Sequence, residues 1–194
     1  SFRGFEFGGT FLQEKGRFAR DDLDAYGYHL MASYTFQAAC KPRLAVEYSY
    51  ASGDSNPNDG DHETFQGAFG ARCKMYGRMN LFHWRNLKDL EANLQIKPFK
   101  WLHVKGELHK FQLAERKDAW YLNQKLYRDS TGCSGDDVGK EFDIVITCNL
   151  FPQNTFTTGF GHFWPDEFAE KTASHKQANW FFFQWEYTFS TKLL

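Results

Sequence analysis

WFFFQWEYTF, residues 180–189, decides how this chain is read. Side chains in a strand alternate between two faces, so Phe181, Phe183, Trp185, Tyr187 and Phe189 form one unbroken aromatic stripe. Gln184, Glu186 and Thr188 share the other face with Trp180 and Phe182. A soluble sheet buries such a stripe against a second layer. A chain whose strands nearly all carry one, with charges opposite, needs lipid outside and water inside, the pattern of an antiparallel transmembrane β-barrel. The bland alternative is an aromatic-rich soluble sandwich or lipocalin-like barrel with its apolar face turned inward.

Working outward, the stripe recurs. Segment 3–13 sets Phe5, Phe7 and Phe11 against Glu6, Gly8 and Thr10, and EKGRFARDD (14–22) reads as a loop. Segment 23–36 puts Tyr26, Tyr28, Leu30, Ala32, Tyr34 and Phe36 on one side, and Leu44, Val46, Tyr48 and Tyr50 follow. Leu90 to Ile96 and Leu102 to Leu108 alternate with charged residues around a tight turn at Pro98-Phe99-Lys100. Phe142, Ile144, Ile146 and Cys148 oppose Glu141, Asp143, Thr147 and Asn149, and TFTTGFGHFW (155–164) precedes the closing strand.

That makes eight spans, joined by connections that run medium, short, long, short, long, short, medium. Outer-membrane barrels have short periplasmic turns and longer extracellular loops, so the alternation sends the last strand down to the periplasm. Residues 72–80 also alternate, but a ninth span would break the parity. The sequence has no Met start or leader and opens in mid-strand, so we expect an N-terminal portion outside it. The whole of 1–194 then reads as one barrel domain lacking its first strands, because an open strand edge in lipid leaves backbone groups unsatisfied.

Composition narrows the function. With 23 basic and 24 acidic residues there is no bulk attraction to nucleic acid. An aromatic content of 19% beside a mean hydropathy of −0.61 suits strands greasy on one face only, joined by polar loops. No nucleophile, base and orienter set is visible, so Glu141 and Asp143 read as charges on a water-filled wall and no catalysis is expected. His103 and His109 share that wall at a separation too great for joint metal ligation.

The four cysteines lack metal-type spacing, and Cys73 with Cys133, both in long loops on one side, is the one disulfide candidate. Asp54, Asn56, Asn58, Asp59, Asp61 and Glu63 offer oxygen ligands for a structural Ca²⁺. Pro57 intrudes, however, Gly60 comes one place late and Phe65 replaces the bidentate Glu, so a polar turn is the preferred reading and no cofactor is expected. Trp84, Trp120 and Tyr121 are the loop aromatics placed to touch a ligand, whereas Trp164, Trp180, Trp185 and Tyr187 suit an interfacial girdle.

The segments YASGDSNPNDGDHETF (50–65), YGRMNLFHWRNLKDL (76–90), LAERKDAWY (113–121), VGKEFDIVIT (138–147), GHFWPDEF (161–168) and ANWFFFQWEYTF (178–189) occur in order. Together they resemble the alginate export family of bacterial outer-membrane porins, over about residues 20–189. The resemblance implies a larger barrel of about eighteen strands, of which this chain is the C-terminal half. It makes Phe189 the terminal aromatic read by the barrel-assembly machinery, although residues 190–194 extend past it.

The resemblance further implies passive passage of an anionic, alginate-like polysaccharide or related solutes through a lumen lined by Arg and Lys. A uronate polymer brings one carboxylate per sugar, which guanidinium and ammonium groups bind. The candidates are Arg72, Lys74, Arg78 and Arg85 in the first long loop and Lys97 and Lys105 on the wall, facing the carboxylates Glu107, Glu141 and Asp143. Where alginate exporters carry lumenal arginines on the penultimate strand, this chain has Thr157 and Gly159, and Glu47, Glu91 and Glu186 add to a mixed wall. A general small-solute porin therefore stands as an alternative, as does a structural barrel with a closed lumen. The expected partners are the bilayer with its lipopolysaccharide, the solute, the assembly machinery and, as an option, further copies of the chain.

Overall fold

The computed structural model describes residues 4–67, 76–122 and 125–189. Eight long strands meander in sequence order: β1 (Phe5–Phe18), β2 (Asp21–Thr35), β3 (Arg43–Ala51), β5 (Leu87–Phe99), β6 (Leu102–Gln112), β9 (Asp137–Phe151), β10 (Asn154–Pro165) and β11 (Ala178–Tyr187). Each is antiparallel to its neighbour. The two-residue β4 (Asp61–His62) lies parallel to β2, while β7 (Ala119–Leu122) and β8 (Lys125–Arg128) form a separate hairpin. Among the described residues the sheet is open, with β1 and β11 each paired on one side only. No helix among them is long and apolar enough to cross a membrane.

The two faces are inverted relative to a soluble sheet. Outward-pointing Phe181 is 70% exposed, and Leu30, Val46, Leu90 and Leu108 are about half exposed, whereas the carboxyls of Glu141 and Asp143 on the other face are fully buried. Apolar side chains left out while charges are taken in is the arrangement of a porin-type β-barrel. The sandwich and lipocalin readings fall here, because among the described residues the aromatic stripe meets no second layer.

Three connections differ from expectation. Residues 14–22 are not a loop: β1 and β2 continue as a ribbon to a two-residue turn at Ala19-Arg20, with Ala19 at φ 56°. Polar residues keep the alternation there, and opposed charges pair across the ribbon, Lys15 with Asp24 at 3.5 Å and Arg17 with Asp22 at 3.7 Å. The last connection holds α1 (Glu167–Thr172), acidic in its first turn and basic in its last, as the helix dipole favours. The β7/β8 hairpin stands in the second long connection. Of the alternating stretch 72–80, residues 72–75 lie outside the described residues, and 76–80 form no strand.

The packed core sits at the long-loop end, inside the polar face. Phe82 from the first long loop stacks on Phe111 of β6 at 3.7 Å between ring centroids and neighbours Trp120 and Phe163. Phe65, Tyr76, Leu113 and Phe168 join them. Trp120 is thus a cap residue, 6% exposed and donating its indole N–H to the Leu81 carbonyl, and is not available to a ligand. Trp84 is likewise engaged: its ring packs on Phe65 and its Nε1–H donates to the Tyr50 carbonyl.

Candidate functional site

The inner wall is a grid set by strand register. One row aligns Glu47, Glu91, His109 and Glu141; the next aligns Asn93, Glu107, Asp143 and Gly161; below them run Gln95, Lys105, Val145 and Gly159, then His103, Thr147 and Thr157. Alternation brings the polar residues inward, and antiparallel register stacks the carboxylates side by side. Five of them, Asp89, Glu91, Glu107, Glu141 and Asp143, are almost wholly buried.

What covers them is the first long loop. Arg78 donates through Nε to Glu107 at 2.6 Å and through its backbone N–H to Asp143 at 3.1 Å, and the Met79 N–H donates to Glu141 at 2.9 Å. Two glycines permit this approach. Gly77 adopts φ +77°, and a Cβ there would lie 2.3 Å from Glu141 Oε1. A Cβ on Gly161 would meet Asp143 and the Met79 side chain at 2.6 and 2.8 Å. Lys105 contacts Glu107 and lies 3.6 Å from Glu91, His109 lies 3.1 Å from Asp89, and Asn93 bridges Glu47 and Glu91.

Glu91, Glu107 and His109 hold ligand atoms within 4.8 Å of one another. The Lys105 ammonium and the Arg78 guanidinium already occupy those carboxylates, so resident cations fill the seat a metal would need. The acidic loop does not converge on a cation either. Asp54, Asn56 and Asp59 accept backbone N–H groups two residues on, from Asn56, Asn58 and Asp61, and Glu63 accepts from Ser55. These are turns closed by their own side chains. Burial pushes the Asp54 carboxyl up from its ordinary range.

Toward the short-turn end the wall is open. A groove of about 340 Å³ is lined by Arg78, Lys105, His103, Thr157, Gln184 and Glu186. It shares His103 and Thr147 with a second hollow of about 220 Å³, lined also by Lys97, Lys100, Trp101 and Asn149. Basic groups therefore succeed one another along one track, with hydroxyl and amide groups beside them. This arrangement sets cationic groups beside hydroxyl and amide groups, a chemistry complementary to carboxylates and hydroxyls.

Of the sequence candidates, Arg78, Lys105, Glu107, Glu141 and Asp143 meet in one network, and Lys97 lies farther along the track. Arg85 does not join them: its guanidinium lies 4.0 Å over the Tyr121 ring, in the cap. Arg72, Lys74 and Cys73 lie outside the described residues, and Cys133 is an exposed free thiol. Asp118 and Asn86 escaped the sequence reading. Asp118, 1% exposed, accepts from Asp54 N–H, Thr64, Tyr121 and Arg128, so one carboxylate ties both long loops together. Burial and this neighbouring charge raise the Tyr121 phenol. Asn86 accepts from Glu115 N–H and donates to the Glu115 and Ala119 carbonyls. Their signal was position, since both sit inside the quoted segments 113–121 and 76–90.

A family model described as alginate export matches residues 3–183, from the start of β1 into β11. The chain belongs to the alginate export family. No curated protein matches it. The alginate export family is one of transport, not of catalysis, and its role is export through a β-barrel channel. The inverted sheet and the track along its polar face accord with that role, and the groove beneath Arg78 is the family member's candidate site.

Proposed function

We propose that these strands are part of a larger outer-membrane barrel through which an anionic, alginate-like polysaccharide or related anionic solutes diffuse passively. The observation that carries the reading is the pair of adjoining hollows, sharing His103 and Thr147, that carry Lys97 and Lys100 in one and Lys105 and Arg78 in the other. Conduction needs several weak sites in series instead of one tight one, and a line of cations already half satisfied by Glu91 and Glu107 meets that need. The open edges of β1 and β11 support further strands, because unpaired backbone groups in lipid cost several kcal/mol each. Insertion would then fall to the barrel-assembly machinery, with the aromatic outer face in the bilayer.

The acidic upper wall favours a second reading, a weakly selective general porin. Planar-bilayer recordings of the native protein in a salt gradient separate the readings. Anion-biased current that oligouronates block supports the exporter. Weakly selective, unblocked current supports the general porin, and insertion without current supports a closed structural barrel.

A further inference from the structure

We infer that the outer face of β5, β6, β9 and β10 carries a binding site for a phosphorylated glycolipid of the lipid A type. The inference rests on the membrane location proposed above. Along the long-loop edge of the apolar face runs a belt of lysine and aspartate pairs: Lys15 with Asp24, Lys88 with Asp136, Lys110 with Asp137 and Lys140 with Asp166. On β6 and β9 the residues below the belt are apolar, with Leu108, Gly106, Val104 and Leu102 on one strand and Phe142, Ile144 and Ile146 on the other. A lysine facing lipid is costly at the midplane and nearly free at the interface, so the belt marks the level of the headgroups on that side.

At one place the belt is doubled. Lys110 and Lys140 are direct cross-strand partners, flanked in the same row by Leu90 and Trp164. Like charges set opposite each other destabilise a sheet unless an anion is shared between them. Each ammonium has three donors and gives one direction to its aspartate, Lys110 to Asp137 at 3.1 Å and Lys140 to Asp166 at 3.2 Å. These pairs are exposed and weak, and donors remain for a phosphate.

Directly beneath is a groove of about 480 Å³ lined by Leu90, Ala92, Leu108 and Trp164, with both lysines at its mouth. The small Ala92 between Leu90 and Leu94 makes the notch. An acyl chain fits the apolar floor, a phosphate meets the lysine pair, and Trp164 lies at the interface where indoles favour sugar and headgroup contact. Charge at the mouth with hydrocarbon below matches a lipid that carries both, and does not match a free anion or a neutral lipid.

Native mass spectrometry of the full-length protein tests the site, with diphosphorylated lipid A, its dephosphorylated form and inorganic phosphate as probes. The expected result is a one-to-one lipid A adduct, roughly thirtyfold weaker in a Lys110→Gln/Lys140→Gln variant, as two lysine contacts to an anionic headgroup predict. Ala92→Phe, which fills the notch and keeps both lysines, weakens it too, while Lys88→Gln leaves it unchanged. Equal retention by the double variant, equal binding of the dephosphorylated lipid, or an adduct with phosphate alone overturns the proposal. Bilayer conductance of the same preparations keeps the two readings apart: normal channels without the adduct sink the site only, and failure to insert sinks the membrane reading.

Discussion

The two halves of the inner wall are made by the same strands and differ in what lies on them. Toward the long loops, the carboxylates of β5, β6 and β9 are buried under the segment carrying Gly77, Arg78 and Met79. Toward the short turns, Lys97, His103, Lys105, Thr147 and Thr157 face open grooves. The upper wall alone is an anion repellent. One loop arginine and two backbone N–H groups bind three of its carboxylates, so the charge met by a solute is set where loop and wall join, and Lys105 belongs to both halves.

The most severe way to break the contrast is to cut the tie above it. Asp118→Ala removes the acceptor for five donors counting its own Ala119 N–H, and leaves Arg128 unpaired. Leaving the buried donors without their charged acceptor costs about 3 kcal/mol, so the cap should open locally. Limited proteolysis should cut within 52–67 and 113–136 while the strands stay resistant, and an unchanged digest would count against Asp118 as the organiser.

Next in size is Glu107→Gln. The amide keeps the shape but gives Arg78 and Lys105 a neutral partner in a buried place, weakening the loop's hold by about 2 kcal/mol. Single-channel conductance should rise or become noisy, and anion preference should increase as two cations are released. Gly77→Ala pushes the same loop away by steric means, through φ +77° and the clash with Glu141. Its expected cost is about 1 to 3 kcal/mol, read as a conductance change with the wall charges intact. If Glu107→Gln and Gly77→Ala give the same anion preference, loop displacement and not wall charge decides selectivity.

In the open half, Lys97→Gln should leave folding nearly unchanged and lower anion preference, measured by reversal potential. The smallest effect lies outside both halves. Asp129 is held below the usual carboxylate range by hydrogen bonds from Thr131 and Ser134. Its folded pKa is below its unfolded one, so the order it brings to the turn is present above about pH 3.9 and lost as pH falls further. Faster amide exchange at Thr131 and Ser134 in acid, with the strand amides unmoved, would register this.

Alternation alone located all eight long strands, because a face that must meet hydrocarbon admits few polar residues and the period of two then recurs from strand to strand. It also placed Glu107, Glu141 and Asp143 on one wall. It did not locate the hairpin end at Ala19-Arg20, since a polar ribbon above the apolar face has no stripe to read. It missed α1, too short for a helical period to emerge over six residues. Among the basic candidates, sequence could not separate Arg78, folded onto the wall, from Arg85, stacked on Tyr121 in the cap. Both are loop arginines within the same quoted segment.

The sequence by itself determined the faces, the strand order and which side of each strand is charged, because these follow from local alternation and the chemistry of the two media. Tertiary structure decided which of those charges a solute meets. That outcome depends on contacts between residues about thirty to sixty-five positions apart, Arg78 with Glu107 and Asp143 or Asp118 with Asp54, whose geometry no local pattern records.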